Sequence, residues 1–331
     1  MRAVVVDPRT NSLELVELDD PTPGPGQLLV AVRAAGLNRA DLAVRTGRYV
    51  VGTGRSPSAP AGPVVAGGEL AGEVVAVGAG VEGWAVGDHV MAQGRGYAEL
   101  AVVDAALALR RPPVLTWAEA GALPVAVLTM HDALVTNGRW RSGETVVVHA
   151  ATSGVGVIGV QLALHLGAPL VVGTSRSPAK WPTLADAVGN PDRLVLLEPH
   201  ELAERAAALT EDRGIDVIVD NVGAAVLGPS LAASAVLGRI VQVGRLGGRH
   251  GELDLDELAR KRVSLIGVTF RTRTGAERRA VVDAVRRELG DALDAGVFRP
   301  VVHATYPLGE AGAAQDALAR DEHVGKLVLV P

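Results

Sequence analysis

TVVVHAATSGVGVIGVQLALHLG, residues Thr145–Gly167, is the stretch that decides the fold. It opens as a run of β-branched residues ending at His149, turns through glycines, and continues with a helical pattern through Leu166. Gly154, Gly156 and Gly159 satisfy G-x-G-x-x-G in that setting. The first glycine permits a tight turn, the second lets a pyrophosphate approach the backbone, and the third lets helix and strand pack closely. A helix N-terminus adds unpaired N–H groups and a positive dipole. In a chain with 40 glycines the spacing alone says little; the flanking strand and helix carry the reading. Ser153, Gly154 and Val155 are therefore expected at the diphosphate of a dinucleotide.

Outward from this turn, apolar runs at Leu170–Thr174, Leu194–Leu197, Asp216–Asp220, Arg239–Val243 and Val263–Thr269 read as strands. Helical patterns from about Lys180 and over Glu201–Leu209 lie between them. Fully apolar strands separated by helices imply a parallel sheet covered on both faces, a doubly wound α/β lobe. A further helix is expected over 277–294 and a last strand at Lys326–Val330. Residues 1–110 are different. Short runs at Val4–Val6, Leu13–Leu18, Gln27–Ala35, Gly72–Val77 and Asp88–Met91 are punctuated by Pro and Gly, which reads as a β-rich lobe. Val51–Pro63, rich in turn residues, reads as a loop. A length of 331 residues accommodates both lobes.

The turn after the second strand, Gly173-Thr174-Ser175-Arg176-Ser177 with Lys180 following, selects between cofactors. An NAD site places Asp or Glu about 20 residues after the glycines to hold the ribose 2′-OH. No carboxylate stands here, whereas Ser175, Arg176 and Lys180 suit a 2′-phosphate, so NADPH is expected over NADH.

Composition narrows the remaining classes. Lys+Arg 32 against Asp+Glu 37 gives a net charge of −5, which does not suit a nucleic-acid groove. Cysteine is absent, which excludes disulfides, a thiol nucleophile and cysteine-ligated zinc. MRAVVVDPRT is too short an apolar run for a signal peptide, and no membrane-length apolar stretch follows, so a cytoplasmic protein is expected.

Six collinear segments resemble one family: AAGLNRADLAVRTGRY (34–49), GGELAGEVVAVGAGVEGWAVGDHV (67–90), GYAEL (96–100), LTWAEAGALPVAVLTMHDAL (115–134), the AATSGVGVIG turn and HVGKLVLV (323–330). They are similar to the zinc-free, zeta-crystallin-like quinone oxidoreductase branch of the medium-chain dehydrogenase/reductase superfamily. The resemblance implies a GroES-like lobe over residues 1–118 and 267–331, a Rossmann lobe over 119–266, an active cleft between them, and a homodimer. Zinc-dependent relatives have a catalytic Cys and a G-H-E histidine where this chain has Asn38 and Gly68. With those ligands missing, Glu69 alone cannot hold catalytic zinc, and no metal is expected.

What the resemblance implies for activity is zinc-independent hydride transfer from NADPH to a quinone or an α,β-unsaturated carbonyl. The alternatives are an enoyl-thioester or enone reductase of a biosynthetic pathway, and a catalytically idle NADPH-binding sensor. Asn38 is placed beside the nicotinamide and Tyr49 at the substrate mouth. Thr129, Asn221, Val243, Gly244, Phe270 and Lys326 are placed at further cofactor contacts. Asp41 and His131 read as structural. Two departures stand out: Ser153-Gly154 replaces a pair of glycines, and no tyrosine follows the third strand near Leu197–Glu198.

Overall fold

The computed structural model describes residues 1–7, 10, 12–47, 64–189 and 191–331, which form two compact units. The first comprises Met1–Leu128 and Phe270–Pro331; the second is Thr129–Thr269.

In the first unit the early strands are β1 (Arg2–Asp7), β2 (Ser12–Glu17), β3 (Gln27–Gly36), β4 (Val64–Val65), β5 (Glu69–Val77), β6 (His89–Gln93), β7 (Leu100–Asp104) and β8 (Ala108–Arg110). Helices α1 (Arg39–Arg45) and α2 (Trp117–Ala122) accompany them, and α3 (Pro124–His131) leads out of the unit. Strand β3 organises the fold. Its alternation buries Leu28, Val30 and Val32 against Leu70, Val74, Val90 and Val103, and Ala34 against Ala122 and Val328. It pairs antiparallel with β5 along one side and with β7 along the other. Strands β1, β2 and β4 make a separate antiparallel sheet of three.

The second unit holds β9 (Val146–His149), β10 (Val171–Thr174), β11 (Leu194–Leu197), β12 (Ile215–Asp220), β13 (Ser234–Gln242) and β14 (Ser264–Gly267). They form one parallel sheet of order β11-β10-β9-β12-β13-β14. Helices α4 (Gly154–His165), α5 (Trp181–Ala187), α6 (Leu202–Leu209), α7 (Ala224–Ala233) and α8 (Leu255–Lys261) connect the strands. Strand order reverses between β9 and β12, the place where open α/β sheets receive ligands beyond their C-terminal strand ends. Val147, Val172, Ile218 and Ile240 pack with Leu202, Ala206 and Leu231 in one core.

The chain then returns to the first unit with α9 (Gly275–Asp294), β15 (Val302–Pro307), α10 (Ala311–Arg320) and β16 (Lys326–Val330). Thr274 caps α9, and its apolar face buries Val281, Val282, Val285 and Leu289. Strand β16 joins the seven-stranded sheet, parallel to β15 and antiparallel to the end of β3, through Ala35 and Gly36.

Candidate active site

In the second unit the expected dinucleotide residues converge on the C-terminal strand ends. Ala150, not a glycine, takes the left-handed conformation of the tight turn after β9, at φ 52°. Gly154 is instead the first residue of α4, which corrects the role expected for it: Ser153 is the N-cap, its Oγ accepting the Gly156 N–H at 3.1 Å. A Cβ on Gly156 would stand 2.1 Å from the Ala150 carbonyl oxygen, so close approach of turn and helix requires glycine there. The second loop begins at Ser175, buried, whose Oγ accepts the Ser177 N–H and lies 3.2 Å from Thr152 Oγ1. Exposed Arg176 and half-buried Lys180 follow.

Beyond β12, Asn221 donates through Nδ2 to the His149 carbonyl at 3.0 Å, while its Oδ1 is buried without a partner. The neighbouring Asp220 accepts the Val222 and Gly223 N–H groups on Oδ1 and leaves Oδ2 buried and unpaired. Burial pushes the Asp220 carboxyl up from its ordinary pKa. Val243 and Gly244 donate their amides to the Asp220 carbonyl, and a Cβ on Gly244 would meet the Asn221 carbonyl oxygen at 2.0 Å. Buried polar atoms are nearly always paired, so an acceptor such as Asn221 Oδ1 at a strand end calls for a donor from outside the chain. A dinucleotide's ribose hydroxyls and carboxamide are such donors. The residues present fit that group.

The first unit carries a different cluster. Lys326, 4 % exposed, donates its ammonium to Glu69 Oε1 at 2.5 Å, Asn38 Oδ1 at 2.7 Å and the Leu37 carbonyl at 3.2 Å. Glu69, fully buried, also accepts Asn38 Nδ2 at 3.0 Å and the Val125 N–H at 2.7 Å. Asn38 precedes α1, and its backbone N–H reaches Asp41 Oδ2 at 2.8 Å, which also accepts the buried Tyr97 hydroxyl at 2.9 Å. Desolvation raises the Asp41 pKa to about 6 despite those two hydrogen bonds, and Tyr97 is pushed well up as well.

Asn38 and Lys326 are thus together, and both amide groups of Asn38 are engaged. Only its second Nδ2 proton, directed at the Gly36 carbonyl 3.4 Å away, is weakly held. Tyr49 lies outside the described residues, as do positions 51–63 of the expected loop. Thr129 is half-buried on α3. Phe270 belongs to the first unit, where its carbonyl accepts Arg278 and its ring lies under the Arg273 guanidinium. The Glu69–Lys326 pair and the Asp41–Tyr97 bond escape sequence reading. The only hints are the isolated Glu69 of the zinc-motif remnant and the lysine that opens the last strand.

Known proteins extend these observations. Residues 24–113 match the alcohol dehydrogenase GroES-like domain and residues 154–287 match the zinc-binding dehydrogenase domain. The polyketide synthase system protein NorB for spectinabilin, from Streptomyces orinoci, is 36% identical over 315 residues. Phenolphthiocerol synthesis polyketide synthase type I Pks15/1 of Mycobacterium marinum is 34% identical over 305 residues. Each match covers 92% of this chain but only 13% and 14% of those proteins. Among solved structures, mycobacterial Rv1454c complexed with NADPH is 31% identical with a TM-score of 0.83, and all of both chains is covered. A mycobacterial quinone oxidoreductase structure, 32% identical with a TM-score of 0.81, is likewise covered throughout. Both lobes, the sheet order and these whole-length likenesses agree: the chain belongs to the medium-chain dehydrogenase/reductase superfamily of oxidoreductases.

Proposed function

We propose that this chain is an NADPH-dependent, zinc-independent reductase of conjugated carbonyl compounds, meaning α,β-unsaturated thioesters, enones or quinones. The observation that carries the reading is the Lys326 ammonium locked between Glu69 and Asn38. In zinc-dependent relatives the positions of Asn38 and Gly68 supply metal ligands. Here the remaining carboxylate already holds a cation, which would repel a second one. Among the described residues no three His, Cys, Asp or Glu side chains gather as metal ligands do.

The amides opening α4, with Ser153 and Val155, hold the diphosphate. Ser175, Arg176 and Lys180 hold the 2′-phosphate, and Asn221 Oδ1 accepts from the ribose or carboxamide. Thr129, Val243, Gly244 and Phe270 complete the proposed cofactor contacts. The nicotinamide, when bound, supplies a hydride. Negative charge then gathers on the substrate carbonyl oxygen, where hydrogen bonds from Tyr49 or from the loosely held Asn38 proton stabilise it without a metal. Likeness to polyketide synthase segments favours an α,β-unsaturated thioester, and likeness to a mycobacterial quinone oxidoreductase favours a quinone.

The test follows NADPH consumption with a crotonyl thioester, a cyclic enone and a benzoquinone, using cofactor deuterated at C4. Deuterium on the β-carbon of a saturated product identifies the thioester or enone, and quinol formation alone identifies the quinone. Tight NADPH binding with no turnover on any of them would favour the idle sensor. Activity that falls to a chelator and returns with zinc would overturn the metal-free reading. A second copy is the partner proposed here, and the open edge strand β14, with Leu265 exposed, supports it.

A further inference from the structure

We infer that His149 is a positioning residue: a neutral Nε2–H imidazole that registers the 2′-phosphate loop against the diphosphate turn. This rests on the dinucleotide reading proposed above, and it concerns a side chain that no ligand need touch.

His149 ends β9 and is fully buried. Its Nδ1 lies 2.7 Å from Thr174 Oγ1, at the end of β10, and its Nε2 lies 2.8 Å from Ser230 Oγ on α7. The proton positions follow by elimination. Ser230 gives its one hydroxyl proton to the Val226 carbonyl at 2.6 Å, so towards His149 it can only accept. Nε2 therefore carries hydrogen. Burial holds the imidazole pKa down to about 3, so the ring is neutral and has one proton only. Nδ1 is consequently bare and accepts the Thr174 hydroxyl.

Each partner of this ring belongs to an element that the cofactor loops depend on. Thr174 precedes Ser175, Arg176 and Lys180. The residues after His149 form the turn into α4. The His149 carbonyl accepts from Asn221 at 3.0 Å. A second bond of the same sense, Thr152 to Ser175 at 3.2 Å, lies beside it, and the Ala151 N–H donates to the Thr174 carbonyl at 2.9 Å. The two loops proposed to hold the two phosphate groups are thus joined by side chains as well as by the sheet. An apolar residue at 149 would preserve the strand and leave two buried hydroxyls without their imidazole partner.

Two measurements on the full chain test this. With ¹⁵N-labelled histidine, NMR at neutral pH should show a buried ring protonated at Nε2 and bare at Nδ1; the opposite tautomer overturns the inference, and this holds even where a variant fails to fold. Calorimetry with NADPH and with NADH then compares the parent with His149→Asn and His149→Gln. Asn can place an acceptor near the Nδ1 position and keep Thr174, whereas Gln reaches the Nε2 position and keeps Ser230. His149→Asn should retain the parental ratio of NADPH to NADH affinity. His149→Gln should lower that ratio by about fivefold, the equivalent of one neutral hydrogen bond. Equal losses for both nucleotides in both variants, or an unchanged ratio in His149→Gln, overturn the inference while the cofactor reading stands. Equal affinities in the parent overturn that reading and the inference with it.

Discussion

Lys326 and Asp41 show how differently two buried charges can be held within one cluster. The three ammonium protons of Lys326 all end on chain acceptors, and Glu69 has no exposure. Removing one partner of such a pair strands the other. Lys326→Met should cost about 3–5 kcal/mol in urea unfolding, and adding Glu69→Gln should recover most of it. A single variant that unfolds at the parental urea concentration would show the pair to be dispensable. Asp41 works in the other direction, since its pKa rises from 3.8 to about 6 on folding. The folded chain then binds more protons than the unfolded one between those values. The stability contributed by this group is full below about pH 4 and lost as pH rises through about 6, by about 3 kcal/mol at 1.36 kcal/mol per pH unit. Asp41→Asn keeps an oxygen for the Asn38 N–H and the Tyr97 hydroxyl without the charge. Its urea midpoint should exceed the parent's at pH 7 and converge with it near pH 4; a constant difference across that range would remove Asp41 as the source.

Gly156 in helix α4 and Gly290 in helix α9 stand for opposite reasons. At Gly156 a Cβ would strike the Ala150 carbonyl, whereas at Gly290 nothing stands within 4 Å. Gly156→Ala should abolish dinucleotide binding and destabilise the second unit. Gly290→Ala should stabilise α9 by roughly 0.5–1 kcal/mol through reduced backbone entropy alone, read as a raised melting temperature with nucleotide affinity unchanged. What sequence could reveal differs between elements in the same way. Strands β9, β10 and β16 are legible within a residue because strands buried on both faces read as unbroken apolar runs, and the edge strand β11, only partly buried, is legible because all four of its residues are Leu or Val. Helix α7 is not, because Pro229 lies inside it and it has no polar face to set a period. Strand β15, half-exposed along its length, carries too few large apolar residues to stand out from a loop. The site divides similarly. Ser153 and Ser175 follow from local turn chemistry, but the Glu69–Lys326 pair joins residues 257 positions apart, and nothing in either neighbourhood names its partner.

For the molecule as a whole, the proposed second copy gives a direct expectation: in sedimentation the chain should run at twice its own mass. A species at single mass across micromolar concentrations would leave β14 to some other cover. Among the described residues no helix is long and apolar enough to cross a membrane. The division of the first unit into two stretches has an effect on biosynthesis. Ala35 hydrogen-bonds in register with Leu329, so a ribosome must add roughly 300 residues after β3 before its last partner exists. At about 5–20 residues per second that is a wait of about 15–60 s. The second unit, contiguous from Thr129 to Thr269, clears the exit tunnel with its whole sheet and can fold meanwhile. The amino-terminal half-sheet waits with one margin open, which makes it the segment of the nascent polypeptide that a chaperone would have most reason to shield.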